Sequence, residues 1–337
     1  MTRLTFSADS IYELQRDDEV LIGDTPYFVK QFSRGGMGLI VFLQRDDVRM
    51  PVSYRPYIHG QKVAIKTVLP ADDDQSVREL FQRELTVWAG LDHFNIIRLN
   101  EILTTHKDGW VAAMNWCDGS LRQYLDSQTS LSIEASVFII RDLAEGLHFA
   151  FTEHGLLHLD LKPGNILHQK VFRNDTKNGD DPVHKYGWKI SDWGLVSVKN
   201  AALSKITGMA SPSSMFDTLN NLGTAAYMAP ERFVQGVSSS VASDVFAIGL
   251  IFYEMLTGDL PYQRSNPDVV SQICTHSYFD IAKITLNQKR IPRPISETIL
   301  RLITPDPAVR CVSYQELLER LDRFQRPNSF LSRLFKL

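Results

Sequence analysis

Cysteine is scarce in this chain of 337 residues: there are three, Cys117, Cys274 and Cys311, with no CxxC pair among them. That excludes a disulfide-stapled scaffold and a structural zinc site, and it fits a reducing, cytoplasmic setting. Charge of either sign is not in excess. Lys and Arg number 36 and Asp and Glu 39, a net charge of −3, so nothing pulls the chain toward nucleic acid or an anionic membrane. Long hydrophobic runs are missing as well. The longest, "VFAIGLIFYEML" from Val245 to Leu256, contains Glu254. It is too short and too charged to span a bilayer and reads as a buried core helix. The opening "MTRLTFSADSIYELQ" carries early acids and no continuous apolar stretch, which argues against a signal peptide. No internal repeat is visible. A soluble protein without a membrane span is expected.

What is present divides into two halves. Up to about residue 117 the chain reads as short strands rich in β-branched and aromatic residues, at 27–33, 39–45, 62–69, 96–103 and 110–115. One helix interrupts them, "SVRELFQRELTVWAGL", with Val77, Leu80, Phe81, Leu85 and Trp88 at helical spacing. Beyond residue 118 the pattern is helical, with amphipathic "LSIEASVFIIRDLAEGLHFAF" and a capping-box spacing from Ser313 to Glu316. The expected organisation is an N-terminal extension over 1–25, a small β-rich lobe over 26–117, a larger helical lobe over 118–325 and an amphipathic tail over 326–337. That tail, "PNSFLSRLFKL", reads first as a short helix packed back on the larger lobe, and second as a docking or self-association peptide. Segments 45–61, 173–187 and 198–224 read as exposed insertions.

Four motifs carry chemistry. In "SRGGMGLIV", Gly35, Gly36 and Gly38 would let backbone N–H groups approach an anion, although the stretch alone reads as a tight hairpin. In "VAIK", Lys66 stands on an apolar strand, where a charge needs a partner such as Glu84 or an anionic ligand; an exposed edge lysine is the bland alternative. "HLDLKPGNIL" (158–167) places Asp160 where a carboxylate can accept a proton and Asn165 where an amide oxygen can meet a hard cation. "ISDWG" (190–194) adds Asp192 at the end of an apolar strand, a second oxygen ligand for the same metal.

In this order, and followed by "GTAAYMAPE" (223–231), "SDVFAIG" (243–249) and "DPAVR" (306–310), the motifs resemble those of the eukaryotic-type Ser/Thr protein kinase family from about Pro26 to Phe324. The glycine loop is similar to that of bacterial members. The resemblance implies an α+β, bilobal protein-kinase-like fold and transfer of the ATP γ-phosphoryl group to protein hydroxyls, autophosphorylation included. It implies that Lys66, paired with Glu84, holds the α- and β-phosphates, that Asp160 accepts the hydroxyl proton and that Lys162 steadies the moving phosphoryl group. Asn165 and Asp192 would hold Mg2+. ATP would also meet Ser33, Arg34, Gly35, Gly36, Met37 and Gly38 of the loop, with the adenine among Ile40, Ala64 and Leu167. Met114 would be the gatekeeper, and Asn115 and Cys117 would offer hinge backbone. Glu231 and Arg310 would pair, and Asp244 would anchor the catalytic loop.

Some positions depart from the family pattern. Ser33 replaces the first loop glycine, Trp193 replaces the usual Phe, and Asn115 stands where an acid is usual. The largest departure is Leu159, where the family usually carries Arg. In members with that Arg, it binds a phosphate on the activation loop. Leu159 cannot, so activity independent of phosphorylation at Thr207, Ser211, Ser213, Ser214, Thr218 or Thr224 is expected, with Lys199 as the main candidate for a substitute phosphate partner. A pseudokinase scaffold and a small-molecule kinase are the competing readings. The intact chemical residues speak against the first, and Ala229-Pro230-Glu231, part of a peptide platform, against the second. Lys162 and Thr224 follow the Ser/Thr pattern.

Overall fold

A computed structural model describes residues 2–8, 10–35, 38–45, 62–68, 82, 85–105, 109–170, 183, 186–193, 225–234, 239–262, 269–310 and 313–325. The chain divides into two compact units, one containing Met1–Cys117 and the other containing Asp118–Asp192.

The first unit is built on a seven-stranded antiparallel sheet. Its strands are β1 (Leu4–Phe6), β2 (Glu19–Ile22), β3 (Thr25–Gly35), β4 (Gly38–Gln44), β5 (Lys62–Val68), β6 (Leu99–Thr104) and β7 (Trp110–Asn115), in the order β1-β2-β3-β4-β5-β7-β6. Alternation sends Val20, Ile22, Tyr27, Val29, Val41 and Leu43 to a single apolar core. The N-terminal extension contributes β1 and β2 to this sheet. Leu4 faces Ile22 across the β1–β2 ladder, and Leu4, Ile11 and Leu14 are buried in the same core. A strand beginning at 96 is also corrected. Ile96 and Ile97 are buried, but the ladder starts at Leu99. The Trp88 indole N–H donates to the carbonyl of Ile97 at 2.7 Å, so that carbonyl already has a partner.

The second unit is helical around α2 (Ile133–His154) and α3 (Val241–Thr257). Ser132 caps α2 through the N–H of Ala135 at 3.1 Å, and Gly155 ends it in the left-handed conformation. Every residue of α3 is buried, as a helix apolar on all sides requires. Gly249 lets α6 (Arg293–Leu302) come close: a Cβ there would lie 2.6 Å from the Cβ of Leu302. The other helices among the described residues of this unit are α1 (Leu121–Asp126), α4 (Val269–Cys274), α5 (Ser277–Gln288) and α7 (Tyr314–Gln325). Ser313 caps α7 through the N–H of Glu316 at 3.1 Å.

A second, three-stranded sheet joins β8 (Gly119–Ser120), β9 (Ile166–Lys170) and β10 (Tyr186–Ile190) in the order β10-β9-β8. The segment read as an insertion through residue 187 therefore stops short, because Tyr186 and Gly187 pair with Lys170 and Gln169. Among the described residues no helix is long and apolar enough to cross a membrane. The tail over 326–337 and the segment 198–224 lie outside the described residues.

Candidate active site

In the first unit, β3 and β4 form a hairpin in which Gly35 faces Gly38, Arg34 faces Leu39 and Ser33 faces Ile40. Gly36 and Met37, at its tip, lie outside the described residues. Lys66 sits on β5 between Ile40 of β4 and Ala112 of β7, and is only 5% exposed. A lysine so placed needs an anion to justify its burial. Its expected partner Glu84 lies outside the described residues. Ala64 pairs with Phe42 and Met114, so Ala64 and the buried Met114 share one rung. Asn115 ends β7 exposed, and its side-chain oxygen accepts from Asn100 Nδ2 at 2.7 Å; Cys117 beyond it is buried. That bond occupies the side chain at a position expected to act through its backbone.

In the second unit, the loop 158–165 gathers its polar groups around Asp160. The Asp160 carboxylate accepts from Lys162 Nζ at 3.3 Å and from Asn165 Nδ2 at 3.0 Å, and Asn165 Nδ2 also donates to the Asp160 carbonyl at 2.8 Å. The 3-10 turn Pro163–Asn165 makes this reach possible. Ser191 then ties in the next strand end. Its N–H and its hydroxyl both donate to the Asn165 carbonyl at 2.9 Å, which places Asp192 one residue from that junction. His158 links the same parts. Its Nδ1 accepts from the Asp160 N–H at 3.3 Å, so Nε2 carries the proton and donates to the Ser191 carbonyl at 2.8 Å.

Two residues here, Leu159 and Asp192, have left-handed backbones with φ of 60° and 65°. Each costs roughly 1–3 kcal/mol and persists only where its surroundings hold it. For Leu159 the restraint is visible: the N–H groups of His158 and Leu159 donate to the Asp244 carboxylate at 2.8 and 2.7 Å, and the Leu159 carbonyl accepts from the Arg232 guanidinium. Tyr314 donates its hydroxyl to the same Asp244 carboxylate at 2.8 Å. Burial lowers the pKa of Arg232, while Asp244, Asp160 and Glu231 raise it. Below the loop, Glu231 pairs with the fully buried Arg310 at 2.7 Å and accepts from Ser243 Oγ at 2.9 Å. His158, Ser191, Arg232 and Tyr314 were not singled out from the sequence. Arg232 and Tyr314 lie 73 and 70 residues from the groups they bind, and no local pattern marks such pairs.

Leu167, expected against the adenine, faces Ser120 and Lys189 in the small sheet. Beside it, His168 is buried among rings, with Tyr186 at 4.4 Å and Trp188 at 5.2 Å, and burial pushes its pKa down. Gly119 exists to clear that ring: a Cβ there would lie 2.7 Å from His168 Nε2. Because the neighbouring rings block its retreat, Gly119→Ala should destabilise the protein by about 1–3 kcal/mol, the usual cost of overpacking. A thermal unfolding scan checks this; an unchanged midpoint would show that the ring moves freely.

Residues 55–320 match the protein kinase domain family, and the chain belongs to it. It is 26% identical over 301 residues to the "Probable serine/threonine-protein kinase PknB" of Lactococcus lactis, covering 88% of this chain and 42% of that protein. It is 27% identical over 317 residues to the serine/threonine-protein kinase PknD of Chlamydia felis, covering 88% and 30%. The chain thus spans less than half the length of these two relatives. The structure of Rad53 1–466 in complex with AMP-PNP superposes with a TM-score of 0.61 at 23% identity, covering 91% of this chain and 74% of that one. The fold is that of the protein kinases.

Proposed function

We propose that this chain is a Ser/Thr protein kinase that transfers the γ-phosphoryl group of ATP to hydroxyls of protein substrates, itself included. The observation that carries the reading is the Asp160 carboxylate, 5% exposed and held by Lys162 and Asn165 in one short loop. An aspartate so fixed can take the proton of an incoming hydroxyl, and Lys162 beside it can balance charge on the moving phosphoryl group. Lys66 contacts the ATP phosphates, and the turn Pro230–Phe233, buried at Pro230 and Glu231, supports the acceptor peptide. Cys117 and Cys274, neither of them in a disulfide, suit the reducing cytoplasm proposed as its setting. The test is transfer of labelled phosphate from ATP to a generic protein substrate by wild type and Lys66→Met. Loss of transfer in the variant is expected; equal transfer by both would refute the role of Lys66, and none by wild type would refute the kinase reading.

Asn165 and Asp192 fit magnesium. The amide nitrogen of Asn165 is committed to Asp160, which leaves its amide oxygen for a hard cation, and Asp192 supplies a carboxylate. Magnesium takes few protein oxygens and completes its shell with water and phosphate, and when bound it neutralises charge on the phosphates. Asp192→Asn, which removes a formal charge, should weaken magnesium-dependent ATP binding more than Asn165→Ala. Calorimetric ATP titrations with and without magnesium decide it, and wild-type affinity indifferent to magnesium would sink this assignment.

Leu159 carries the proposal on regulation. A bond from a charged group to a loop phosphate contributes roughly 1.5–3 kcal/mol, and a leucine supplies none of it. Enzyme stripped of phosphate, then freed of phosphatase, should keep its initial rate within about threefold. A tenfold loss restored by preincubation with ATP would overturn this and direct attention to Lys199.

A further inference from the structure

Arg232 follows Glu231 in the turn Pro230–Phe233, and its guanidinium donates to the carbonyl of Leu159. Leu159 is the left-handed residue directly before Asp160. The opposite edge of the same peptide segment is held by Asp244, which accepts the N–H groups of His158 and Leu159. The strained segment is therefore gripped from both sides, by a carboxylate on its donors and a guanidinium on its acceptor. Three anions lie around Arg232, namely Asp244, Asp160 and Glu231. Two of them are themselves anchored, Glu231 by Arg310 and Asp244 by Tyr314. A cation surrounded in this way stays charged and in place without a phosphate to recruit it.

We propose that Arg232 is a positioning residue of the catalytic loop: it clamps the Leu159 carbonyl, fixes Asp160 in its working orientation and supplies constitutively the cation that position 159 lacks. The inference rests on the kinase reading given above. It makes the turn after Ala229 a mechanical part of the catalytic loop, so that the loop and the acceptor-side segment 225–234 hold one another. A charged donor is required for this grip, and a bare hydrophobe of similar length cannot replace it.

The test uses the full chain with Arg232→Met and Arg232→Lys. Arg232→Met is expected to lower kcat at least tenfold while KM for ATP stays within twofold, because the clamp orients Asp160 and does not touch nucleotide. Arg232→Lys, which keeps the charge and one donor, should recover at least a third of the lost kcat. Hydrogen–deuterium exchange over residues 156–162 provides an arm independent of activity, and Arg232→Met should exchange at least fivefold faster there than wild type. Unchanged exchange in the Met variant overturns the proposal whatever the kinetics show, as does a loss of activity expressed wholly in KM. No recovery in the Lys variant, if it melts like wild type, also counts against it. If the Met variant does not fold, the Lys variant decides through the same two readouts: a kcat at or below one tenth of wild type, or exchange as slow as wild type beside a depressed kcat, refutes the clamp. Wild type that transfers no phosphate refutes the kinase reading instead, and the exchange arm alone then decides whether Arg232 holds the loop.

Discussion

On the role proposed for Asp160, Asp160→Asn will lower phosphoryl transfer by roughly 10²–10⁴-fold, with ATP affinity nearly unchanged, because it would delete the proton acceptor and no phosphate contact. The local geometry makes the substitution clean in shape and severe in chemistry. The carboxylate takes Lys162 Nζ at 3.3 Å and Asn165 Nδ2 at 3.0 Å, both donors. A neutral amide keeps the outline of the side chain, yet it loses the charge that attracts Lys162 and the basicity that takes the hydroxyl proton. Single-turnover transfer to protein, beside a calorimetric ATP titration, separates the two effects. Turnover close to wild type would show that another group receives the proton and that loop 158–165 has been misassigned.

The second large effect is on stability. Arg310 is fully buried, donates to Glu231, to the carbonyls of Ala242, Thr304 and Pro305, and stacks 4.8 Å from the ring centre of Phe246. Arg310→Met strands the Glu231 carboxylate in a site 8% exposed, with Ser243 Oγ as its remaining donor at 2.9 Å. Breaking a buried pair from one side costs about 3–5 kcal/mol, a large share of the 5–15 kcal/mol that holds a typical domain together. Removing both charges, as Glu231→Gln with Arg310→Met, should recover part of that loss, since the uncompensated charge is the main penalty. Urea unfolding of wild type and the two variants measures it. A single Arg310→Met variant within about 1 kcal/mol of wild type would mean that the pair is dispensable.

Much of this was legible without coordinates, and for local reasons. Ser313, three residues before Glu316, marks the start of α7, and the twelve apolar-dominated positions from Val245 to Leu256 mark a helix buried on all sides. The β-branched, apolar composition of "KVAIKTV" puts Lys66 on a strand, and the spacing of Asp160, Lys162 and Asn165 puts three polar groups in one turn. Each of these is a property of neighbours in the chain, where periodicity and capping chemistry act over a few residues.

What the tertiary structure alone decided concerns partners far apart. Three residues, Leu4–Phe6, are too short for any pattern to declare a strand, and they become one because Ile22 and its neighbours offer an open ladder. Ile96 and Ile97 have strand composition but turn inward under Trp88, whose indole takes the carbonyl that a ladder would have used. Leu159 looked like a loss, a hydrophobe in place of a cation, when read along the chain. Folding brings Arg232 to its carbonyl from 73 residues away, and Asp244 to its N–H from 85. Sequence determines which residues can hold a charge, a cap or a strand; the enclosure of buried polar groups, each of which must find a partner, determines which of them meet.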